Sequence, residues 1–175
     1  MVHISGATAL TKSIQHYGVD TIFALPGAQL DPMFDALYHA KDTLRVIHTR
    51  HEQGTAYMAF GYAQSTGKVG TNLVVPGPGL LNASAGLSTA FACGAKVLCL
   101  AGQIPSKFIG KGIGQLHELA DQPGAVASVT KWQGRAETPA SVPAMVQEAF
   151  KQLCTGRPQP VLLEMAPDIM AREEK

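Results

Sequence analysis

The segment Val97-Leu98-Cys99-Leu100-Ala101 is apolar at every position. A strand with one face in water alternates apolar and polar residues. An unbroken apolar run asks for cover on both faces, the situation of a parallel sheet with helices above and below. The rest of the chain fits that demand, because helix-like and strand-like segments follow one another throughout. Leu10, Ile14 and Tyr17 recur at helical spacing and stop at Gly18. Thr21 to Ala24 reads as a short buried strand, and Asp31-Pro32 opens a helix carrying Met33, Phe34, Leu37 and Tyr38. A strand at Leu44–Ile47, a small-residue helix at Ala56–Ser65, a strand ending at Val75 and an Ala- and Gly-rich helix from Leu80 to Cys93 come next. Gly102 to Gln115 has no periodicity and reads as a loop. Strands are expected at Val129–Gly134 and Pro160–Met165, with a helix from Ser141 to Leu153 between them. The pattern implies an α/β fold of three layers, a parallel sheet flanked by helices. The 175 residues suffice for one such domain and are too few for two comfortable ones. Residues 1–170 read as that domain, and the polar residues 171–175 as a tail or the start of a linker.

Composition narrows the function. Charged residues make up only 15% of the chain, which points to a surface partly covered by a partner or another domain. The net charge is +1 and the basic residues are scattered. No basic stripe argues for nucleic acid, and no polybasic cluster or transmembrane-length run argues for a membrane. Cys93, Cys99 and Cys154 show no zinc spacing and lie in apolar contexts, so they read as reduced, mostly buried thiols of a cytoplasmic protein. The residues Met1-Val2-His3-Ile4-Ser5-Gly6 do not read as a basic segment followed by an apolar one, the pattern expected of a secretory leader.

Two strand-to-helix junctions stand out. The first carries Glu52 within His51-Glu52-Gln53-Gly54, after the extended run Leu44–Ile47. The second is Pro76-Gly77-Pro78-Gly79, after Asn72–Val75 and before Leu80-Leu81-Asn82. In an open parallel sheet, ligands bind beyond the carboxyl ends of the strands, where both junctions fall. Each also has a plain explanation. A carboxylate at a helix N-terminus is favoured by a few tenths to about 1 kcal/mol without any ligand. Pro26-Gly27 and Gly77-Pro78-Gly79 can be ordinary turns, and Asn82 can cap the helix that follows.

Several other chemistries find no support. Gly77-Pro78-Gly79-Leu80-Leu81-Asn82 lacks the third glycine of a dinucleotide loop, and the next strand ends in Ala101-Gly102-Gln103 without the acidic residue such a site needs. His48, His51 and Glu52 do not have the spacing of a zinc helix, so no metal ligands are assigned. No Gly-x-Ser-x-Gly elbow exists for a serine hydrolase.

Taken in order, the motifs resemble a known family. They are Phe23-Ala24-Leu25-Pro26-Gly27-Ala28, His51-Glu52-Gln53 with Ala59-Phe60-Gly61-Tyr62-Ala63, Gly77-Pro78-Gly79-Leu80-Leu81-Asn82, Ala101-Gly102-Gln103-Ile104-Pro105, Thr130-Lys131-Trp132, and Gly156-Arg157-Pro158 before Val161-Leu162-Leu163-Glu164. The chain resembles the N-terminal pyrimidine-binding domain of thiamine-diphosphate-dependent 2-oxo acid decarboxylases and carboligases, close to acetolactate synthase and benzaldehyde lyase. Two departures bear on substrate. Val75-Pro76 stands where the family often has Thr-Ser or Ser, and His117 where synthases and benzaldehyde lyase often carry Gln.

The resemblance implies roles. Glu52 would share a proton with the aminopyrimidine N1′ of thiamine diphosphate and so activate the cofactor. Pro26, Gly27, Gly77, Pro78, Gly79 and Asn82 would line or support the cofactor site. His117 would face the substrate, a small 2-oxo acid or aldehyde; a surface-loop histidine is the competing reading. The family holds the diphosphate through magnesium on a Gly-Asp-Gly motif in a second domain. This chain has no such motif, its aspartates being residues 20, 31, 35, 42, 121 and 168. It is therefore expected to need a diphosphate-binding domain or subunit and to be inactive alone, within a homodimer or tetramer. FAD stays open for the complete enzyme. The alternatives are a stand-alone binding or regulatory module, and the small subunit of a split decarboxylase.

Overall fold

The computed structural model describes residues 3–174. Its order is β1 (Ile4–Ser5), α1 (Gly6–His16), β2 (Thr21–Ala24), α2 (Asp31–His39), β3 (Arg45–His48), α3 (Glu52–Thr66), β4 (Gly70–Val74), α4 (Pro78–Cys93) and β5 (Val97–Gly102). There follow α5 (Gln122–Ala125), β6 (Trp132–Ala136), α6 (Val142–Cys154), β7 (Val161–Met165), α7 (Pro167–Ala171) and β8 (Glu173–Glu174). Six strands form one sheet in the order β3-β2-β4-β5-β7-β6, and every pairing in it is parallel. The central strands β4, β5 and β7 are buried at every position, and β5 is apolar throughout, as cover on both faces favours; Thr71 and Asn72 in β4 and Glu164 in β7 are the buried polar exceptions. The edge strands β3 and β6 are only partly covered.

Each face of the sheet has its own core. On one, Ala7, Leu10 and Ile14 of α1 pack with Met33 and Leu37 of α2 and with Val146, Phe150 and Leu153 of α6. On the other, Ala56 and Ala59 of α3 pack with Leu80, Ala83, Leu87 and Ala90 of α4. The chain thus leaves β2 over one face to reach β3, then returns over the opposite face to reach β4 on the far side of β2. Reversing direction while changing face keeps both crossovers right-handed. It also opens a switch point on either side of β2, where ligands of open α/β sheets sit. The ends of β2, β3 and β4 meet there.

Small residues set how closely α3 and α4 approach. A Cβ added at Gly86 would stand 2.6 Å from Ala56 Cβ and 2.9 Å from the Tyr57 backbone nitrogen. At an open helical position Gly→Ala stabilises by up to about 1 kcal/mol. Here overpacking, at about 1–3 kcal/mol, wins. Gly86→Ala is expected to lower the thermal midpoint; an unchanged or raised midpoint would contradict this packing.

Some local expectations are corrected. Cys99 is fully buried, and burial pushes its thiol up to about 12, but Cys93 and Cys154 are exposed. Both end a helix, where apolar neighbours in sequence do not enclose a side chain. Val129 closes a 3-10 turn, Ala127–Val129, and the strand starts later, at Trp132. The Thr130 hydroxyl donates to the Val126 carbonyl at 2.8 Å, and the Gln133 amide donates to Thr130 Oγ1 at 2.7 Å. These local bonds compete with the ladder. Where the sequence reads as a polar tail, Glu173–Glu174 pairs antiparallel with Ile4–Ser5. Residue 175 lies outside the described residues.

Candidate functional site

Glu52 is the first residue of α3, and His51 caps that helix, its Nδ1 accepting from the Gln53 N–H at 3.2 Å. The extended backbone of His51 turns the chain from β3 into the helix, which sets the Glu52 carboxylate beside the free N–H groups of the first turn. Its Oε2 accepts from Asn82 Nδ2 at 3.0 Å. Among the described residues its Oε1 has no hydrogen-bond partner, and it would lie 3.6 Å from a Cβ placed on Gly79. One carboxylate oxygen is thus held, and the other stands over bare backbone.

Asn82 is not a cap. Helix α4 begins at Pro78 with Gly77 as its cap residue, so Asn82 lies a turn inside and its amide is free to orient Glu52. Pro78 occupies the first helical position, where its missing N–H costs nothing. Gly77 has φ 59° and ψ −117°, and a Cβ there would come within 2.5 Å of the His117 carbonyl oxygen. Only glycine meets both conditions.

The third loop joins through Val75. Its Cγ1 and Cγ2 occupy the spaces a Cβ would need at Gly27 and at Gly79, 2.5 Å away in each case. Val75 therefore packs the turn after β2 against the turn after β4. Pro26 stands exposed at the end of β2 beside Gly27, with no recorded contact to Glu52. His117 reaches the same rim from the long loop after β5. It is the one described non-glycine residue with positive φ, at 68°, and its buried Nδ1 has no hydrogen-bond partner. The loop is shaped by Glu118, whose carboxylate accepts from the N–H groups of Gly112, Gly114 and Gln115 at 2.7–3.0 Å. The structure thus joins Glu52, Asn82 and Gly79 directly, Gly27 through Val75, and His117 through Gly77.

Two further polar residues hold this rim. Gln122 Oε1 accepts from the Gly77 N–H at 2.8 Å, and Gln122 Nε2 donates to Glu164 Oε2 at 2.6 Å. Sequence reasoning missed both, and Val75 as a packing piece. A buried carboxylate in an apolar strand, Leu162-Leu163-Glu164-Met165, was the signal available.

One family model, that of the thiamine pyrophosphate enzyme N-terminal TPP binding domain, matches residues 4–125. The chain belongs to this family. Among its relatives, an acetolactate synthase of Arthrospira platensis is 38% identical over 168 residues, 95% of this chain and 28% of that protein. The mitochondrial acetolactate synthase catalytic subunit of Saccharomyces cerevisiae is 35% identical over 97% of this chain and 24% of its own length. A probable 2-ketoarginine decarboxylase of Pseudomonas aeruginosa is 33% identical over 96% of this chain and 30% of its own. The chain spans about a quarter to a third of the length of these relatives.

A further feature of this thiamine pyrophosphate domain lies apart from the rim. A hollow of about 940 Å³ opens at the amino ends of the strands and is lined by Lys68, Lys96 and Lys151 among others. All three ammonium groups are engaged, by Asp20, the Gly67 carbonyl and Glu148. Among the described residues, no group of three or more His, Cys, Asp or Glu could hold a metal, and no helix is long and apolar enough to cross a membrane.

Proposed function

We propose that this chain supplies the pyrimidine half of a thiamine diphosphate site, within residues 1–170, to an enzyme that decarboxylates a 2-oxo acid or joins the resulting acyl unit to a second carbonyl. The observation that carries the reading is the Glu52 carboxylate, one oxygen fixed by Asn82 and the other unpaired over Gly79. Those residues fit an aminopyrimidine: a proton-sharing carboxylate, and backbone without Cβ atoms against which a flat ring can lie. When bound, thiamine diphosphate would supply a carbon nucleophile for attack on a carbonyl. Glu52 would hold a proton at the aminopyrimidine N1′ and so tune the cofactor's basicity. Asn82 fixes the carboxylate plane, and the Gly77–Gly79 turn keeps side chains out of the ring's place. His117, at the rim beside Gly77, would face the substrate. The names of the relatives favour acetolactate-synthase-like carboligation, with 2-oxo acid decarboxylation as the step it shares with the ketoarginine relative.

Magnesium takes oxygen ligands in a near-octahedral shell, and among the described residues no group of three or more His, Cys, Asp or Glu could hold a metal. Magnesium and the diphosphate are assigned to another domain or subunit, and FAD, where the complete enzyme carries it, to the same remainder. Tyr57, Met58 and Leu81 are each at least 40% exposed on the α3–α4 face beside Glu52. That apolar face suits a partner in a homodimer or tetramer. A cytoplasmic location goes with this reading.

Calorimetry tests the half-site. The isolated chain is expected to bind thiamine diphosphate weakly, without dependence on magnesium, and to have no turnover. Tight magnesium-dependent binding should appear only with the diphosphate-binding portion present. Tight magnesium-dependent binding by residues 1–175 alone would contradict the division of labour.

A further inference from the structure

The Gly77 amide is held from behind by a buried polar chain that the proposed chemistry does not use. Gln122 opens α5 and is 1% exposed. Its Oε1 accepts from the Gly77 N–H at 2.8 Å. Its Nε2 donates to the Gly102 carbonyl at 2.9 Å and to Glu164 Oε2 at 2.6 Å. Glu164, fully buried in β7, takes Arg135 Nε and Nη2 on its other oxygen, each at 2.6 Å. The four groups form one line from the β6 edge of the sheet to the cap of α4.

The chemistry of each link has a direction. A carboxamide presents one acceptor and two donors from a single planar end. Glu164, ion-paired with Arg135, offers Oε2 as an acceptor, and the Gly102 carbonyl can only accept. Both therefore demand the NH2 side of Gln122, which leaves its oxygen aimed at Gly77. The ion pair thus sets the orientation of the amide, and the amide sets the peptide plane of Gly77. On its other side Gly77 is closed by the His117 carbonyl. The turn that carries Gly79 under Glu52 is pinned between the two.

We propose that Gln122 is a positioning residue, oriented by the buried Arg135–Glu164 pair, which fixes the Gly77–Gly79 turn in the geometry that receives the cofactor ring. This rests on the reading of Glu52 as the cofactor-facing carboxylate. Gln122 touches neither cofactor nor substrate in this account and acts through the Gly77 amide. A glutamate at 122 could keep the bond from Gly77 only when protonated, because its second oxygen would face Glu164 and the Gly102 carbonyl.

The test uses the intact protein with Gln122→Met, which keeps length and loses all three bonds, and Gln122→Glu. Hydrogen–deuterium exchange is read without cofactor on the fragment containing Gly77, and KM for thiamine diphosphate and kcat are read separately. Gln122→Met should speed exchange at Gly77 and raise the cofactor KM by about tenfold or more, with kcat at saturating cofactor less affected. In Gln122→Glu the ratio of variant to parent KM should rise with pH across the neutral range, a response that general loosening of the fold would not give. Should the Met variant fail to fold, the pH-dependent ratio in the Glu variant decides alone. Unchanged Gly77 exchange in a folded Met variant would overturn the proposal. So would faster exchange with an unchanged cofactor KM, or a pH-independent ratio in the Glu variant. Glu52→Gln, run in parallel, separates the two claims: its effect on turnover does not depend on Gln122, and Gly77 exchange in cofactor-free protein does not depend on Glu52.

Discussion

Glu52→Gln in the intact enzyme is expected to lower kcat by about 10²–10⁴-fold, the usual contribution of a placed proton-transfer group. The substitution keeps the side chain's length, and its oxygen can still accept from Asn82 Nδ2, now 3.0 Å from Glu52 Oε2. What changes is the atom over Gly79. An amide NH2 there can donate a hydrogen bond but cannot share a proton with the ring. The fold loses only the favourable charge at the start of α3, about 0.3–1 kcal/mol. The midpoint of thermal unfolding should therefore move by a few degrees at most, and cofactor affinity by much less than turnover. A variant that loses turnover only because it unfolds early would contradict this assignment.

Gly77→Ala should do the opposite, damaging structure and cofactor binding together. At φ 59° and ψ −117° an alanine lies outside even the left-handed helical region, and its Cβ would come within 2.5 Å of the His117 carbonyl oxygen. Strain of this kind costs about 1–3 kcal/mol, and the clash about as much again. The turn is expected to move, breaking the 2.8 Å bond to Gln122 and shifting Gly79 away from Glu52. Thermal unfolding and cofactor titration check it. A normal midpoint with normal affinity would show that the turn tolerates a side chain and does not fix the site.

The α/β order was legible because the central strands are buried on both faces, which the wholly apolar run Val97–Ala101 shows most plainly. The start of the edge strand β6 was not: a strand was expected from Val129, but local bonds around Thr130 delay it to Trp132. Glu52 and the glycine loops were legible as junctions, because a chain that alternates strand and helix sends every strand end to one rim. Their partners were harder. Asn82 looked like a cap because a proline at the first helical position hides where α4 begins. Gln122 and Glu164 are 42 residues apart and meet only in the folded chain. No periodicity or motif marks such a pair; the sole hint was a charge inside an apolar strand, which must find a partner or cost several kcal/mol.

The most direct test of the central claim is the rate at which the C2 proton of bound thiamine diphosphate exchanges with deuterium, measured at saturating cofactor in the parent enzyme and in Glu52→Gln. This step precedes any substrate, so it isolates the carboxylate from His117 and from whatever the rest of the protein contributes. The expected result is an exchange slowed by about 10²-fold or more in the variant. Equal exchange rates in the two proteins, with the cofactor bound in both, would contradict the account.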